Sequence, residues 1–327
     1  MEVKETFSFP HRKLQLPQLE RMISNIYSPF YVLNWVSRRN FVYSSTSPAQ
    51  IIHGRLNNNQ SIYLFCKYSG NHTQYSFGHR GGVEYENEIY KTVLANCSLS
   101  SPPYYGFCLF EKSSDACLVI GYLKNSILLK DSRDPEDFGR AAAWIGQFHR
   151  MHEATHKQSI RVYDRSYYMI WLKGMETLVR TLQKKYPWLP SVCDYFKENL
   201  HLLTDGHQTI IHGEYYTKNI IVQKDMVYPI DWESAALGPG ETDLVSLIED
   251  WDEARKDIAF KNYIQARWPD GAINRSVFEK KLLLVRIYFF LRWTAEYNDP
   301  ELWLTRNEWF KRFYQTIKES GYQPLEV

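Results

Sequence analysis

The sequence predicts an α+β fold, with a small antiparallel sheet toward the N-terminus and a larger, mainly helical part after it. Three observations carry this. Short β-branched and aromatic runs, separated by Asn, Ser and Pro, fill residues 40–67 and 108–123. Apolar residues at three- and four-residue spacing mark residues 137–152, 160–205, 244–263 and 278–296 as helical. Between the helical blocks lies one short β segment, residues 209–230, whose apolar runs alternate with polar residues. A chain of 327 residues has room for one large domain or two lobes.

Composition excludes several classes. With 39 basic against 37 acidic residues the formal net charge is +2, so no global field draws nucleic acid or an anionic membrane. Aromatic residues make up 16%, which reads as a ring-rich core and not as a base-stacking surface. Cys66, Cys97, Cys108, Cys117 and Cys193 are odd in number and lack C-x-x-C spacing, which predicts free thiols and no structural zinc. The N-terminus has no apolar signal core, and the apolar span from Leu282 to Trp293 is interrupted by Arg286 and Arg292. A cytoplasmic protein without nucleic-acid or membrane partners is expected.

Residues 17–28 place Leu19, Met22, Ile23 and Ile26 at helical spacing and predict a first helix. Residues 40–43 and 50–56 predict two strands joined across Ser44 to Pro48. Residues 57–60 then form a turn, because Asn tolerates positive φ, and residues 61–67 alternate as a third strand ending in Lys67. Residues 82–95 predict a helix whose first two turns carry Glu84, Glu86 and Glu88, favoured there by the helix dipole. Glu86 shares the sheet-facing stripe with Tyr90, Val93 and Leu94. Residues 108–110 and 117–120 predict a hairpin, and Asp137 to His152 a long helix with one apolar face. His149, near the C-terminus of that helix, is read as a packed or capping residue without a functional role.

Polar chemistry is densest at His212-Gly213-Glu214, Asn219 and Ile230-Asp231-Trp232-Glu233. The neighbouring apolar runs 209–211, 220–222 and 227–230 are short and β-branched, so His212, Glu214, Asn219 and Asp231 are expected to emerge from one small sheet into one place. Two carboxylates and a carboxamide gathered there suit a proton acceptor beside ligands for a hard cation. Gly238-Pro239-Gly240 makes a tight turn, after which Asp243 is expected as the N-cap of a helix.

The order H-G-E-x-x-x-x-N, with an Asp twelve residues later (231 minus 219), resembles the catalytic and metal-binding segments of the aminoglycoside phosphotransferase and choline kinase family, relatives of protein kinases. In that family the segments read H-G-D-x-x-x-x-N and I-D-W-[DE], so Glu214 stands where an Asp is expected. The resemblance spans roughly residues 40–250 and implies a two-lobed protein-kinase-like fold. Its nucleotide-binding lobe would occupy residues 1–123 and its catalytic, acceptor-binding lobe residues 124–327.

ATP or GTP and Mg2+ are implied with it. By this resemblance Lys67 contacts the α and β phosphates and Glu86 pairs with Lys67, with Glu88 as the alternative partner. Ile120, Tyr122 and Leu123 lie at the hinge that meets the adenine edge. No G-x-G-x-x-G is present, so Ser45, within residues 44–47, takes the place over the phosphates. Asn219 and Asp231 are the implied Mg2+ ligands, and Glu214 orients or deprotonates the acceptor hydroxyl. Lys218 either touches the γ phosphate or is solvated. His212 and Asp243 brace the loop. Glu233, two residues after Asp231, returns to the same side if the strand continues, and either supports the metal shell or caps the next turn.

The absence of G-x-x-x-x-G-K-[ST] disfavours a Walker-type ATPase. The expected activity is transfer of a γ-phosphate to a hydroxyl of a small molecule such as an aminosugar, an amino alcohol or a natural product. Transfer to Ser or Thr of a peptide in natural-product maturation is a second reading. A third is a nucleotide-binding pseudokinase acting as a binding partner, because the extra methylene of Glu214 moves its oxygens by roughly 1 Å or more. Retention of Lys67, Asn219 and Asp231 favours an active enzyme. The acidic run 249–253 either receives a cationic acceptor or forms a solvated helix face.

Overall fold

A computed structural model describes residues 14–24, 26–27, 32–41, 47–69, 79–110, 115–153, 159–249 and 252–325. The fold is α+β, with an antiparallel sheet in one unit and a mainly helical second unit. The first unit runs to Arg133 and takes in Thr217–Ser234; the second comprises Asp134–Tyr216 and the chain from Ala235. Strand β6 (Ile127–Leu128) pairs with β8 (Ile220–Gln223), and β8 with β9 (Met226–Pro229). That sheet ties residues beyond 123 to the first unit, and a single boundary at 123 does not include the returning segment.

In the first unit β1 (Leu33–Phe41), β2 (Ala49–Leu56), β3 (Ser61–Tyr68), β4 (Tyr104–Leu109) and β5 (Ala116–Gly121) form one antiparallel sheet in the order β1-β2-β3-β5-β4. Asn59 makes the turn before β3 at φ 70°. Strand alternation sends Ile62, Leu64, Cys66 and Tyr68 into a core that includes Leu19, Met22 and Ile23 of α1 (Leu16–Ser24). Tyr63, Phe65 and Lys67 therefore occupy the other face, and α2 (Gly82–Thr92) follows.

The second unit contains α3 (Pro135–Met151), α4 (Arg165–Leu182), α5 (Leu189–Asn199), α6 (His201–Thr204), α7 (Glu241–Ile248), α8 (Glu253–Arg267), α9 (Arg275–Tyr297), α10 (Pro300–Thr305) and α11 (Asn307–Glu319). Asp134 caps α3, accepting from Glu136 N at 3.0 Å, and Asp164 caps α4, accepting from Tyr167 N at 2.8 Å. Helix α9 is buried almost along its length, and α4 crosses it where Gly174 lets Ala295 approach. Among the described residues no helix is long and apolar enough to cross a membrane.

Two expectations need correction. The segment 209–230 does not form one sheet: β7 (Thr209–Ile211) pairs with β10 (Ala236–Gly238) in the second unit, whereas β8 and β9 pair in the first. Asp243 is not an N-cap. Helix α7 starts at Glu241 behind Gly240, which leaves the Asp243 carboxylate available to the preceding loop.

Candidate active site

Lys67 lies at the end of β3, opposite the packed core, and is 6% exposed. Its ammonium is 2.8 Å from Glu86 Oε2, 2.5 Å from Asp231 Oδ1 and 3.3 Å from Glu233 Oε2. Glu86, not Glu88, is thus the helix α2 residue that reaches it; Glu88 accepts from the neighbouring Asn87 side chain. Burial alone would lower the Lys67 pKa, but the charges of Asp231, Glu86 and Glu233 outweigh it and hold the lysine well above its usual value. The carboxylates bear the opposite strain. Burial raises Glu86 against the pull of Lys67, and it pushes Glu233 up to about 7, with Asp231 and Glu86 adding repulsion against Lys67 and Arg80.

Asp231 has φ 68°, in the left-handed region that costs a non-glycine residue about 1–3 kcal/mol. The turn is held from both sides. Ile230 N donates to Asn219 O at 2.9 Å, and Trp232 N donates to Glu86 Oε1 at 3.2 Å. This left-handed step ends the strand and starts the single 3-10 turn Trp232–Ser234. Glu233 reaches Lys67 through that turn, and the strand does not continue there.

Glu86, Asp231 and Glu233 have carboxylate oxygens within 4.8 Å of one another, and Lys67 is the cation they share. Arg80 Nε adds a second positive charge 3.6 Å from Glu233 Oε1. Three negative and two positive formal charges leave one negative in excess. The Asp231 side chain is 27% exposed, and its Oδ2 has no protein partner among the described residues. Asn219, 6% exposed, supplies an oxygen-bearing carboxamide on the same segment. An all-oxygen donor set with excess negative charge fits Mg2+.

At the hinge expected near Ile120, Tyr122 and Leu123, much of the backbone is already engaged. Ile120 pairs on both sides in the sheet, Gly121 N donates to Pro103 O at 2.7 Å, and Tyr122 N to Tyr63 O at 2.9 Å. Tyr122 C=O and Leu123 N–H, an acceptor and a donor one bond apart, have no protein partner among the described residues. Ser45 lies outside the described residues. Lys218 is exposed in the 3-10 turn Thr217–Asn219.

In the second unit Gly213, at φ 82°, turns the chain out of β7. Asp243 collects the loop behind it: Oδ2 accepts from His212 N at 2.7 Å and Oδ1 from Gly213 N at 2.8 Å. His149 Nε2 also lies 3.0 Å from Asp243 Oδ2, and its Nδ1 3.0 Å from Tyr263 Oη. Burial lowers the His149 pKa despite Asp243 beside it, so the ring is neutral. Because Asp243 can only accept, Nε2 carries the hydrogen, and Nδ1 accepts from the Tyr263 hydroxyl. Tyr263 Oη in turn accepts from Arg267 Nη1.

Glu214 is 4% exposed. Its backbone N donates to His212 Nδ1 at 3.3 Å, its C=O accepts from Tyr216 N at 2.7 Å, and its Oε1 lies 3.7 Å from Arg292 Nη1. The described part of the acidic run has local partners. Asp252 caps α8 by accepting from Arg255 N at 3.0 Å, and Glu253 pairs with Lys256 at 2.7 Å, while residues 250 and 251 lie outside the described residues.

His149 and Arg292 are absent from the residues that the sequence singles out for the site. The signal for Arg292 is legible in retrospect, since an arginine inside an apolar helical run needs a buried partner. For His149 no local signal distinguishes a bridging ring from a packed one.

The first unit thus holds a buried lysine at the end of an antiparallel strand, paired with a helix glutamate, and the second a His-Gly-Glu loop held by a buried aspartate; the family match gives the class, a kinase-type phosphotransferase. The sequence matches the phosphotransferase enzyme family, APH, over residues 74–272, more than half the chain, and the chain belongs to that family. Solved structures with the same fold include choline kinase LicA from Streptococcus pneumoniae, at 14% identity and TM-score 0.56 over 92% of this chain and 98% of that one. A spectinomycin phosphotransferase in complex with ADP and spectinomycin matches at 12% identity and TM-score 0.57, covering 92% and 95%. The GDP complex of an aminoglycoside 2′-phosphotransferase matches at 12% identity and TM-score 0.57, covering 94% and 97%. No curated protein matches the sequence.

Proposed function

We propose that the protein transfers the γ-phosphate of ATP or GTP to a hydroxyl of a small molecule, of the aminosugar, amino alcohol or related natural-product class. The observation that carries this reading is the buried Lys67 ammonium, fixed by Glu86 and Asp231 at the end of a sheet. Such a fixed cation suits the donor's phosphates, since phosphoryl transfer asks chiefly for positioning and charge neutralisation. Tyr122 C=O and Leu123 N–H offer one acceptor and one donor to a nucleobase edge. Mg2+, held by Asn219 and Asp231, would neutralise charge on the transferring phosphate. Glu214 orients the acceptor hydroxyl and takes its proton, on a loop that Asp243 and His212 hold still. ADP and GDP in the similar structures support a purine nucleotide, and a choline kinase and a spectinomycin complex among them support an amine-bearing alcohol as acceptor. Five free cysteines fit a reducing, cytoplasmic setting.

Turnover of Mg·ATP and Mg·GTP against a panel of aminosugars and amino alcohols tests the reading, with Asp231→Ala as control. Acceptor-dependent turnover lost in the control supports it. Nucleotide binding that ignores Mg2+, with no product from any acceptor, would instead indicate a binding protein.

A further inference from the structure

We propose that Arg292 is a positioning residue for Glu214, and that the two form a matched pair in which only the longer acid reaches its partner. The inference rests on the reading of Glu214 as the group that orients the acceptor.

Arg292 is 2% exposed in the middle of α9, where an uncompensated charge would cost several kcal/mol. Its fork meets two residues of one loop. Nη1 lies 3.7 Å from Glu214 Oε1, and Nη2 donates to Tyr216 Oη at 3.1 Å. The guanidinium thereby spans the residues on either side of Tyr215, a reach that a lysine's single ammonium does not reproduce. Aromatic rings complete the surroundings, with the guanidinium carbon 5.5 Å from the Phe289 centroid and 5.9 Å from that of Trp293. Burial would lower the Arg292 pKa, but Tyr216, Tyr288 and Glu214 outweigh it, and the group stays cationic.

The helix that carries Arg292 is itself held. Gly174 of α4 admits Ala295 one turn beyond Arg292, and Tyr167 Oη lies 2.6 Å from Tyr288 Oη one turn before it. An aspartate at position 214 would draw its oxygens back by roughly 1.5 Å, one carbon–carbon bond. Starting from 3.7 Å, that leaves the carboxylate outside ion-pair range of an arginine that cannot follow. Glutamate in place of the family's aspartate is thus explained by what it has to reach.

The test uses the full chain with Mg·ATP and water as acceptor, reading phosphate release. Arg292→Met is expected to lower kcat about tenfold to a hundredfold, with KM for ATP within about twofold of the parent. Glu214→Asp is expected to lower kcat as well, although it restores the family's residue. The deciding readout is the cycle with Glu214→Gln: in that background Arg292→Met should change kcat by less than about twofold, because its effect passes through the carboxylate. Losses that multiply independently indicate a merely structural arginine and overturn the inference, as does an unchanged kcat in Arg292→Met. If that variant fails to melt cooperatively, Tyr216→Phe, which removes only the partner of Nη2, is taken through the same cycle with the same criterion. Phosphate release indifferent to Asp231→Ala sinks the kinase reading and this inference with it. Release that needs Asp231, with Arg292 acting independently of Glu214, overturns this inference alone.

Discussion

In the first unit three carboxylates, Glu86, Asp231 and Glu233, converge on one ammonium; in the second, three donors from His149, His212 and Gly213 converge on one carboxylate, Asp243. The two clusters are opposite in electrostatics, and they differ in exposure: the Asp231 side chain is 27% exposed and Asp243 is fully buried. Around Lys67 acceptors outnumber the cation, burial and neighbouring charge push Glu86 and Glu233 toward protonation, and the excess negative charge is of the kind a bound cation would offset. Around Asp243 each oxygen is met by fixed N–H groups, and His149 stays neutral, so nothing further is needed from outside. The first cluster keeps an unbalanced charge, and the second is satisfied within the loop that it holds.

The largest expected effects separate these roles. Asp243→Ala leaves three buried donors without an acceptor and is expected to cost about 3–5 kcal/mol of folding stability, read from denaturant midpoints at constant slope. Lys67→Met is expected to lower phosphoryl transfer about 100- to 1000-fold. Its stability loss should be smaller at low pH and grow as pH rises, because the abandoned acids relieve their repulsion by taking up protons. If Lys67→Met proves as destabilising as Asp243→Ala at every pH, the contrast between ligand site and scaffold fails.

How much of this was legible depended on how local each signal is. The strand of Lys67 and the sheet-facing stripe of Glu86 follow from a two-residue and a 3.6-residue period, but the pairing of the two comes from the family resemblance. Asn219 and Asp231 stood out through the spacing of a motif. The left-handed step at Asp231 was not legible, since an Asp in an apparent strand gives no sign that Asn219 and Glu86 will hold its neighbours in a turn. Asp243 was open to misreading as a cap because Asp before an apolar run usually is one, whereas the need of two loop N–H groups for an acceptor lies thirty residues away. The Arg292 and Glu214 pairing joins positions 78 apart in sequence (292 minus 214), and only the burial of an arginine hinted at it. Helix α11 is not among the elements expected from the sequence, although Phe310, Phe313 and Ile317 lie at helical spacing.

A smaller effect probes the mounting of Arg292. A methyl at Gly174 would come within 2.9 Å of Ala295 Cβ, a contact that neither backbone nor a rigid methyl can relieve without moving a helix. Gly174→Ala would gain up to about 1 kcal/mol in helix propensity and lose about 1–3 kcal/mol to overpacking, for a net destabilisation near 1 kcal/mol. A stabilised Gly174→Ala protein in thermal melts would mean that the crossing of α4 and α9 is loose.

The pH dependence has opposite signs in the two clusters. Glu233 titrates at about 7 when folded against a usual 4.5, so the folded state holds the extra proton across that window, and stability falls as pH rises from 4.5 to 7. His149 has a folded pKa below its usual 6.5, so the unfolded chain takes up a proton that the folded one refuses. Its contribution is complete above pH 6.5 and is lost as pH falls below it. Each slope is bounded by about 1.4 kcal/mol per pH unit, and partner charges reduce it. Unfolding free energies measured from pH 5 to 8 without nucleotide or Mg2+ resolve the two. Glu233→Gln should flatten the decline toward neutral pH, and His149→Gln the decline toward acid. If Glu233→Gln leaves the slope unchanged, burial and repulsion beside Lys67 are not what the carboxylate feels, and the first cluster is as well satisfied as the second.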